Sequence, residues 1–338
     1  MKNILIVGCG ITGATLAHIH KQKGDNVLVL DKRNHIGGNI YTENINGIEV
    51  HKYGAHIFHT NNKQVWDFVN QFVRFNDYKH QVKSRYNNKL YSLPINMNTI
   101  KEFFDITDKD KVEKEHIDYI KKCLYYGYSS KQWSRPIEGI DSKIFDRLPI
   151  RDTFDNNYFD DIYQGIPVEG YTKLISSLLW GIELKLDTKV TNDFNFYHYD
   201  IIYNTSPIDE FFDYKFGELE YRSLKFIHEF HKNTTFQDYA VINEANKNIP
   251  YTRIIEHKHF NNVGQKDTII TIEYPKAFDG TNERYYTVND EKNTKLYKQY
   301  KDFAHKSFPN MIFCGRLGDY KYYDMDDAIE RAFELTKI

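Results

Sequence analysis

Cysteine is scarce in this 338-residue chain, and its three copies, Cys9, Cys123 and Cys314, lie far apart. That spacing builds neither a disulfide scaffold nor a thiolate metal site, and reads as reduced thiols in a cytoplasmic protein. An excess of one charge is missing too. The 45 Lys and Arg against 47 Asp and Glu leave a formal net charge of −2. This excludes a general binder of nucleic acid, so phosphate recognition must come from a few placed cations. No apolar run approaches the length of a membrane span, and no cationic leader precedes one, because the first begins at Ile4. No membrane partner is therefore expected. H-E-x-x-H is absent, and His56-x-x-His59 lacks a Cys or carboxylate at a familiar spacing, so no metal is expected. Internal repeats and low-complexity linkers are absent, and the length suits two or three domains. Aromatics are abundant at 16%, with 27 Tyr. Polar-tipped rings suit a wall that stacks a base and hydrogen-bonds a sugar.

Residues 4–39 read ILIVGCGITGATLAHIHKQKGDNVLVLDKRNHIGGN. A short apolar run, as in a strand buried on both faces, leads into Gly8-x-Gly10-x-x-Gly13 and a helix-forming segment. Gly24 suits a helix C-terminus, and a second buried strand ends at Asp31. The three glycines permit a tight turn, close approach to a pyrophosphate and close helix–strand packing. The helix N-terminus offers unpaired N–H groups to phosphate. Asp31 lies 18 residues after Gly13, a spacing suited to a ribose. Gly37-Gly38 then lets the backbone pass close to the rest of a dinucleotide.

In this continuation the chain resembles FAD-binding enzymes of the glutathione-reductase and amine-oxidase type, which implies FAD rather than NAD. Residues 53–60, YGAHIFHT, resemble the YG-x-H-x-FHT loop that UDP-galactopyranose mutases carry against the flavin. The similarity to that family continues in order along nearly the whole chain. In residues 127–133, GYSSKQW, it places Tyr128 and Trp133 around uridine and sugar, a reading preferred to Trp133 as core and Tyr128 as surface because aromatic faces hold a flat base well. Within 150–173, residues 154–158 read as a turn-rich, mobile loop that Arg151 introduces and residues 163–167 close, and the resemblance makes Arg151 and Tyr163 substrate ligands. Asp152 beside Arg151 would weaken phosphate binding if it faced inward. Residues 201–209 resemble the second flavin-domain strand and turn, with Ser206 where members often have Gly.

Arg253, in PYTRIIEHK, sits among β-branched neighbours and needs an anion. Glu256 or another acid would serve; the resemblance instead makes it the partner of Arg151 at the second phosphate. The YYTVND run suggests Tyr286 as a phosphate-side hydroxyl. The closing GRLGDYKYYDMD carries Gly315, Arg316, Tyr322, Asp324 and Met325 into the family's flavin and substrate positions. The FAD contacts so implied are Gly8, Gly10, Ile11, Thr12, Gly13, Asp31, Lys32, Gly38, Asn39, His56, Gly315, Arg316, Tyr322, Asp324 and Met325. His80 is a weaker sugar contact, since a lone His before Gln81 reads as surface. His59 matches the galactose-using members.

The expected fold class is α/β: a discontinuous Rossmann-like FAD-binding domain (1–78, 182–215 and 300–338), a shortened helical domain (96–147) and an antiparallel-sheet substrate domain (79–95, 148–181 and 216–299). Residues 81–93 alternate around Asn87-Asn88, as in a hairpin. Family members carry a longer helical insertion near 100–126, which puts the usual homodimer interface in question. The implied reaction interconverts UDP-galactopyranose and UDP-galactofuranose without net redox change. In the family, N5 of FAD, reduced by an electron donor, attacks the anomeric carbon; UDP leaves, and a flavin–sugar iminium opens and recloses the ring. Arg151 and Arg253 would stabilise the departing diphosphate, and His56 would orient groups near N5. A flavin amine oxidase or dehydrogenase, which consumes an electron acceptor, and a non-catalytic nucleotide-sugar binder are the alternatives.

Overall fold

The computed structural model describes residues 1–139, 150–261 and 264–337. The 140–147 part of the expected helical domain, residues 148–149 and 262–263 of the expected substrate domain and residue 338 of the expected FAD-binding domain lie outside these.

Alternation of side chains along a strand explains the first layer. Ile4 and Ile6 of the strand Asn3–Val7 face one apolar cluster, while Leu5 and Val7 face another. That strand is the centre of a five-stranded parallel sheet, in the order Met311–Phe313, Ile201–Asn204, Asn3–Val7, Asn26–Leu30, Glu183–Lys185. Helices Ile11–Gln22 and Met325–Thr336 cover one face, burying Leu16, Ile19, Ile329 and Phe333. Helix Glu291–Ser307 covers the other with Tyr300 and Ala304. Val7 stands opposite both Leu30 and Asn204, and Asn204 opposite Phe313. The carboxyl ends of four strands are therefore level, which is where open α/β sheets bind ligands.

A seven-stranded sheet forms the second layer, in the order Tyr286–Thr287, Tyr221–His231, Thr268–Ala277, Arg253–Glu256, Val241–Glu244, Val82–Tyr86, Lys89–Leu93. It departs from the expected antiparallel pattern at one pair. Val82–Tyr86 runs parallel to Val241–Glu244, because these strands come from separate excursions of the chain. The hairpin at 81–93 forms, with Asn87 at φ 49° and Asn88 at φ 63°, the left-handed pair a two-residue turn needs.

Two expected borders move. Helix Tyr171–Leu178 buries Tyr171, Leu174, Ile175 and Leu178 in the cluster that holds Ile4 and Ile6, so it packs on the parallel sheet instead of the substrate sheet. Helix Glu291–Ser307 runs unbroken across the border expected between 299 and 300. In the helical segment, Met97–Phe104 is capped by Asn96, whose side chain accepts from the N–H groups of Asn98 and Thr99. Lys114–Lys121 and Gly127–Trp133 follow, joined by a π-helical turn over Lys122–Tyr126. Among the described residues no helix is long and apolar enough to cross a membrane.

Candidate functional site

A cleft opens at the level carboxyl ends of the parallel strands. Helix Ile11–Gln22 points its N-terminus into it, and Gly10 at the N-cap has no side chain to satisfy the first-turn N–H groups. The glycines have separate steric reasons. Gly8 sits at φ +98°, and a Cβ there would strike the Thr205 hydroxyl. A Cβ on Gly13 would strike the carbonyl of Gly8, whereas one on Gly10 would meet nothing within 4 Å. The protein has left the space in front of Gly10 empty. Asp31, nearly buried, accepts the backbone N–H of Cys9 at 2.7 Å and of Arg33 at 2.8 Å, which fixes its carboxylate on the wall. Burial, then the Asp31 charge, pushes the Cys9 thiol far up and keeps it protonated.

Gly8, Gly10, Ile11, Thr12, Gly13, Asp31, Lys32, Gly38, Asn39, His56, Gly315, Arg316, Asp324 and Met325 all line this cleft. Tyr322 does not; Tyr323 takes that place on the wall. Lining residues that sequence reading passed over include Arg33, Lys189, Glu210 and Glu283, and Ser206 lines it too. Arg33 donates to Asn39 at 2.9 Å and to Glu283 at 2.7 Å, tying the two layers together. Ser206 turns its hydroxyl onto Asn204 at 2.5 Å, so a side chain fits where the family often has glycine.

A second group of side chains adjoins the cleft around Arg253. Its carboxylate partner is Glu273, the residue directly across the strand pair, at 2.7 Å from both Nε and a terminal nitrogen. Glu256, the acid nearest in sequence, instead accepts the N–H groups of Phe236 and Gln237. Burial disfavours the Arg253 charge, but Glu273 more than offsets this and holds it charged. Tyr286 stacks against Tyr322, ring centroids 6.0 Å apart, and Tyr322 donates to Asp324 at 3.1 Å. Arg316 lies over the Tyr322 ring at 4.7 Å. Arg316 and Asp324 thus belong to both the cleft and this cluster. His56 is likewise between them: burial, Arg316 and Arg253 bring its imidazole down to about 4. His80, expected at the surface, is buried against Phe159 and Tyr158, and burial with Arg253 and His59 brings it down to about 3.

Tyr128 enters this cluster because of the residue before it. A Cβ on Gly127 would strike the Ala245 carbonyl, so the helix lies against that strand end. The π turn just upstream adjusts the phase of the helix. Trp133 is half-buried at the far end of the same helix, about 140° round from Tyr128. A further guanidinium, unremarked in the sequence, lies by that end. Arg222, 6% exposed and opposite Tyr286 across two strands, donates to the Gln132 carbonyl at 3.1 Å and the Ser134 hydroxyl at 2.6 Å. Burial lowers its pKa, opposed by Glu220 and reinforced by Arg135.

Arg151 is not a free arm. It pairs with Asp160 at 2.6 Å and donates to the carbonyls of Asn157 and Tyr158, the loop that it introduces. Asn96 and Asn98 hold the same loop at Asp155 and Phe154, so the segment expected to be mobile is bonded along its length. Asp152 faces outward to Lys109. Tyr163 stacks on Trp66, with centroids 5.6 Å apart, and no described contact joins it to the Arg253 cluster. His59 stacks on Phe159 and bonds Asp161 at 2.8 Å, while His56 bonds the Gly54 carbonyl at 2.8 Å.

Residues 123–322 match the family model for UDP-galactopyranose mutase, and residues 6–72 match that for an NAD(P)-binding Rossmann-like domain. Curated relatives align over the whole length. A dTDP-fucopyranose mutase of Escherichia coli is 34% identical, covering 100% of this chain and 98% of its own. A probable UDP-galactopyranose mutase of Klebsiella pneumoniae is 34% identical, covering 99% and 94%. The chain belongs to the UDP-galactopyranose mutase family. The solved structure of a reduced UDP-galactopyranose mutase superposes with a TM-score of 0.77 at 12% identity, covering 100% of this chain and 96% of that one. For a member of the family the chain is short: the two alignments run over 371 and 365 positions against 338 residues, so the relatives carry residues that it lacks. The mutase match spans Tyr128, Arg151, Tyr163, Arg222, Arg253 and Tyr286, while His56 and His80 lie outside it.

Proposed function

We propose that the protein is a flavin-dependent mutase that interconverts the pyranose and furanose forms of a nucleotide-linked galactose, with UDP-galactose as substrate. The observation that carries this reading is the shared wall. Arg316, Asp324 and His56 belong both to a dinucleotide-shaped cleft and to a half-buried cluster of tyrosines and arginines.

The residues present fit FAD. The empty space before Gly10, the uncapped helix N-terminus and the fixed Asp31 carboxylate suit a pyrophosphate and a ribose. Gly38 and Gly315 allow the backbone to lie close beside them. When bound and reduced by a separate donor, the flavin supplies the nucleophile for the anomeric carbon. The chain's own groups do the rest. Tyr128, Tyr286 and Tyr322 are held protonated, chiefly by burial; Tyr128 and Tyr286 so stay hydrogen-bond donors to phosphate and sugar oxygens, while Tyr322 gives its one proton to Asp324. His56 stays neutral and leaves Nε2 as an acceptor.

Of the guanidiniums, Arg253 is already neutralised by Glu273, whereas among the described residues Arg222 hydrogen-bonds neutral oxygens and feels Glu220 only at a distance. A buried cation without a carboxylate is an anion site, so this reading gives Arg222 and a released Arg151 the diphosphate, and Arg253 the task of shaping the tyrosine cluster. Excluding water there raises the worth of each contact. Catalysis in the cytoplasm agrees with the three buried free thiols.

A dTDP-linked 6-deoxy sugar is the second substrate reading, favoured by the equal identity to the E. coli dTDP-fucopyranose mutase. The test is to incubate dithionite-reduced protein with UDP-galactofuranose and, separately, dTDP-fucofuranose, and to separate the products by chromatography. Conversion of the first to its pyranose without consumption of an electron acceptor supports the proposal. Conversion of only the second moves the substrate. Acceptor-dependent consumption indicates an oxidase, and binding without turnover indicates a non-catalytic binder.

A further inference from the structure

The segment that carries His56 is held by imidazole nitrogens where carbonyls would be usual. The backbone N–H of His56 donates to Nδ1 of His51 at 3.1 Å, and the backbone N–H of His51 donates to Nδ1 of His257 at 3.3 Å. A backbone N–H can only donate, so Nδ1 of both rings is a lone pair and the proton of each neutral ring is on Nε2. His257 uses that proton toward the Thr271 hydroxyl at 2.6 Å, and Thr271 in turn reaches Nδ1 of His228 at 2.7 Å. His56 is the opposite tautomer: its Nδ1–H donates to the Gly54 carbonyl at 2.8 Å. His51 is further fixed by stacking on Phe260, centroids 4.7 Å apart, with the Tyr171 ring at its edge.

We propose that His51 and His257 are positioning residues for His56, two neutral imidazoles of fixed tautomer that set the height of the loop lining the cleft. A proton arriving on either Nδ1 would put N–H against N–H and release the loop. Burial is the largest opposition to that proton, and the cations Lys52, Arg316 and Arg253 add to it while Glu256 and Glu43 attract it. His51 faces His257 and His56; His257 faces His228 and Lys52, with Glu256 alone attracting; His228 faces Lys52 and Glu43; and His56 faces Arg316 and Arg253. The net effect brings His257 down to about 3 and His51 well below the ordinary range.

The inference rests on the mutase reading only in its kinetic arm. The first arm is a long-range proton–nitrogen NMR spectrum of histidine-labelled protein, with His51→Asn and His257→Asn to assign the two rings. Both are expected to show an unprotonated Nδ1 at neutral pH and to keep it at pH ~5, where exposed histidines have titrated. Either ring carrying a proton on Nδ1, or titrating with the exposed ones, overturns the proposal whatever the substrate proves to be. In the second arm, His257→Phe keeps a ring and deletes the acceptor, and should lower kcat roughly tenfold to a hundredfold with little change in KM. His257→Asn, whose Oδ1 stands where Nδ1 was, should recover to within about threefold of the parent. A Phe variant with parental kcat, or an Asn variant no better than Phe, overturns it. If the Phe variant does not fold, the spectrum and the Asn variant decide.

Discussion

Arg151 and Asp160 form an ion pair of 2.6 Å at the two ends of one loop, with the guanidinium nearly buried and the carboxylate exposed. The pair is a competitor for any phosphate that Arg151 would bind. Because Asp160 is solvated, its hold is worth about 0.5–1 kcal/mol. Asp160→Asn should therefore tighten UDP binding by about twofold to fivefold, read by titration calorimetry. Unchanged or weaker binding would mean that Arg151 does not leave its loop for the ligand. Arg151→Lys should lose most turnover, because an ammonium cannot reproduce bidentate contact.

Arg222 and Arg253 make opposite predictions. Arg222→Gln removes a buried cation that pairs directly with no carboxylate among the described residues, and should weaken UDP binding by at least about tenfold, as loss of a charge-assisted contact implies, with little effect on the unfolding midpoint. Glu273→Gln leaves the half-buried Arg253 without its buried counter-ion and should cost about 3 kcal/mol of stability in a urea titration. If instead Arg222→Gln binds UDP normally and an Arg253→Gln variant does not, the diphosphate belongs to Arg253.

These assignments show where the sequence is legible. Gly8, Gly10 and Gly13 announce themselves because a tight turn, an open cradle and a helix–strand contact each forbid a side chain, and they fall within six residues. The Asn87-Asn88 turn is equally local. The partner of Arg253 is not local: Glu273 is chosen by strand register, and nothing in the neighbourhood of Arg253 announces that register, so Glu256 looks the better acid. Arg222 hides in a β-patterned run without a flanking signature, and its neighbours Gln132 and Ser134 arrive from a distant helix end. His80 reads as surface since burial by Phe159 and Tyr158 depends on how the 150–160 loop folds back.

The glycines separate cofactor binding from folding. Gly13→Ala should destabilise the protein, because the Cβ meets the Gly8 carbonyl and backbone must shift. Gly10→Ala meets no protein atom within 4 Å and should melt as the parent does without cofactor. It should nevertheless purify colourless and fail to take up FAD on reconstitution, since its methyl group fills the phosphate cradle. A yellow Gly10→Ala protein with parental flavin content would place the dinucleotide elsewhere.

Acid sensitivity should trace to the buried histidines of this site. His80 is buried beside Arg253 and brought down to about 3, whereas in the unfolded chain it titrates near the ordinary value of about 6.5. Between these values the unfolded state binds the extra proton, so stability rises with pH across the window and levels off above it. One such histidine removes roughly 2 kcal/mol by pH ~5 relative to neutral pH. His80→Gln keeps a polar partner for the Tyr78 hydroxyl, which now lies 3.0 Å from the imidazole, and carries no titrating group. Its unfolding free energy should fall less than the parent's when urea titrations at the two pH values are compared. Equal slopes would mean that His80 is solvated or already charged in the folded protein, and the tyrosine cluster around Arg253 would then be open to water.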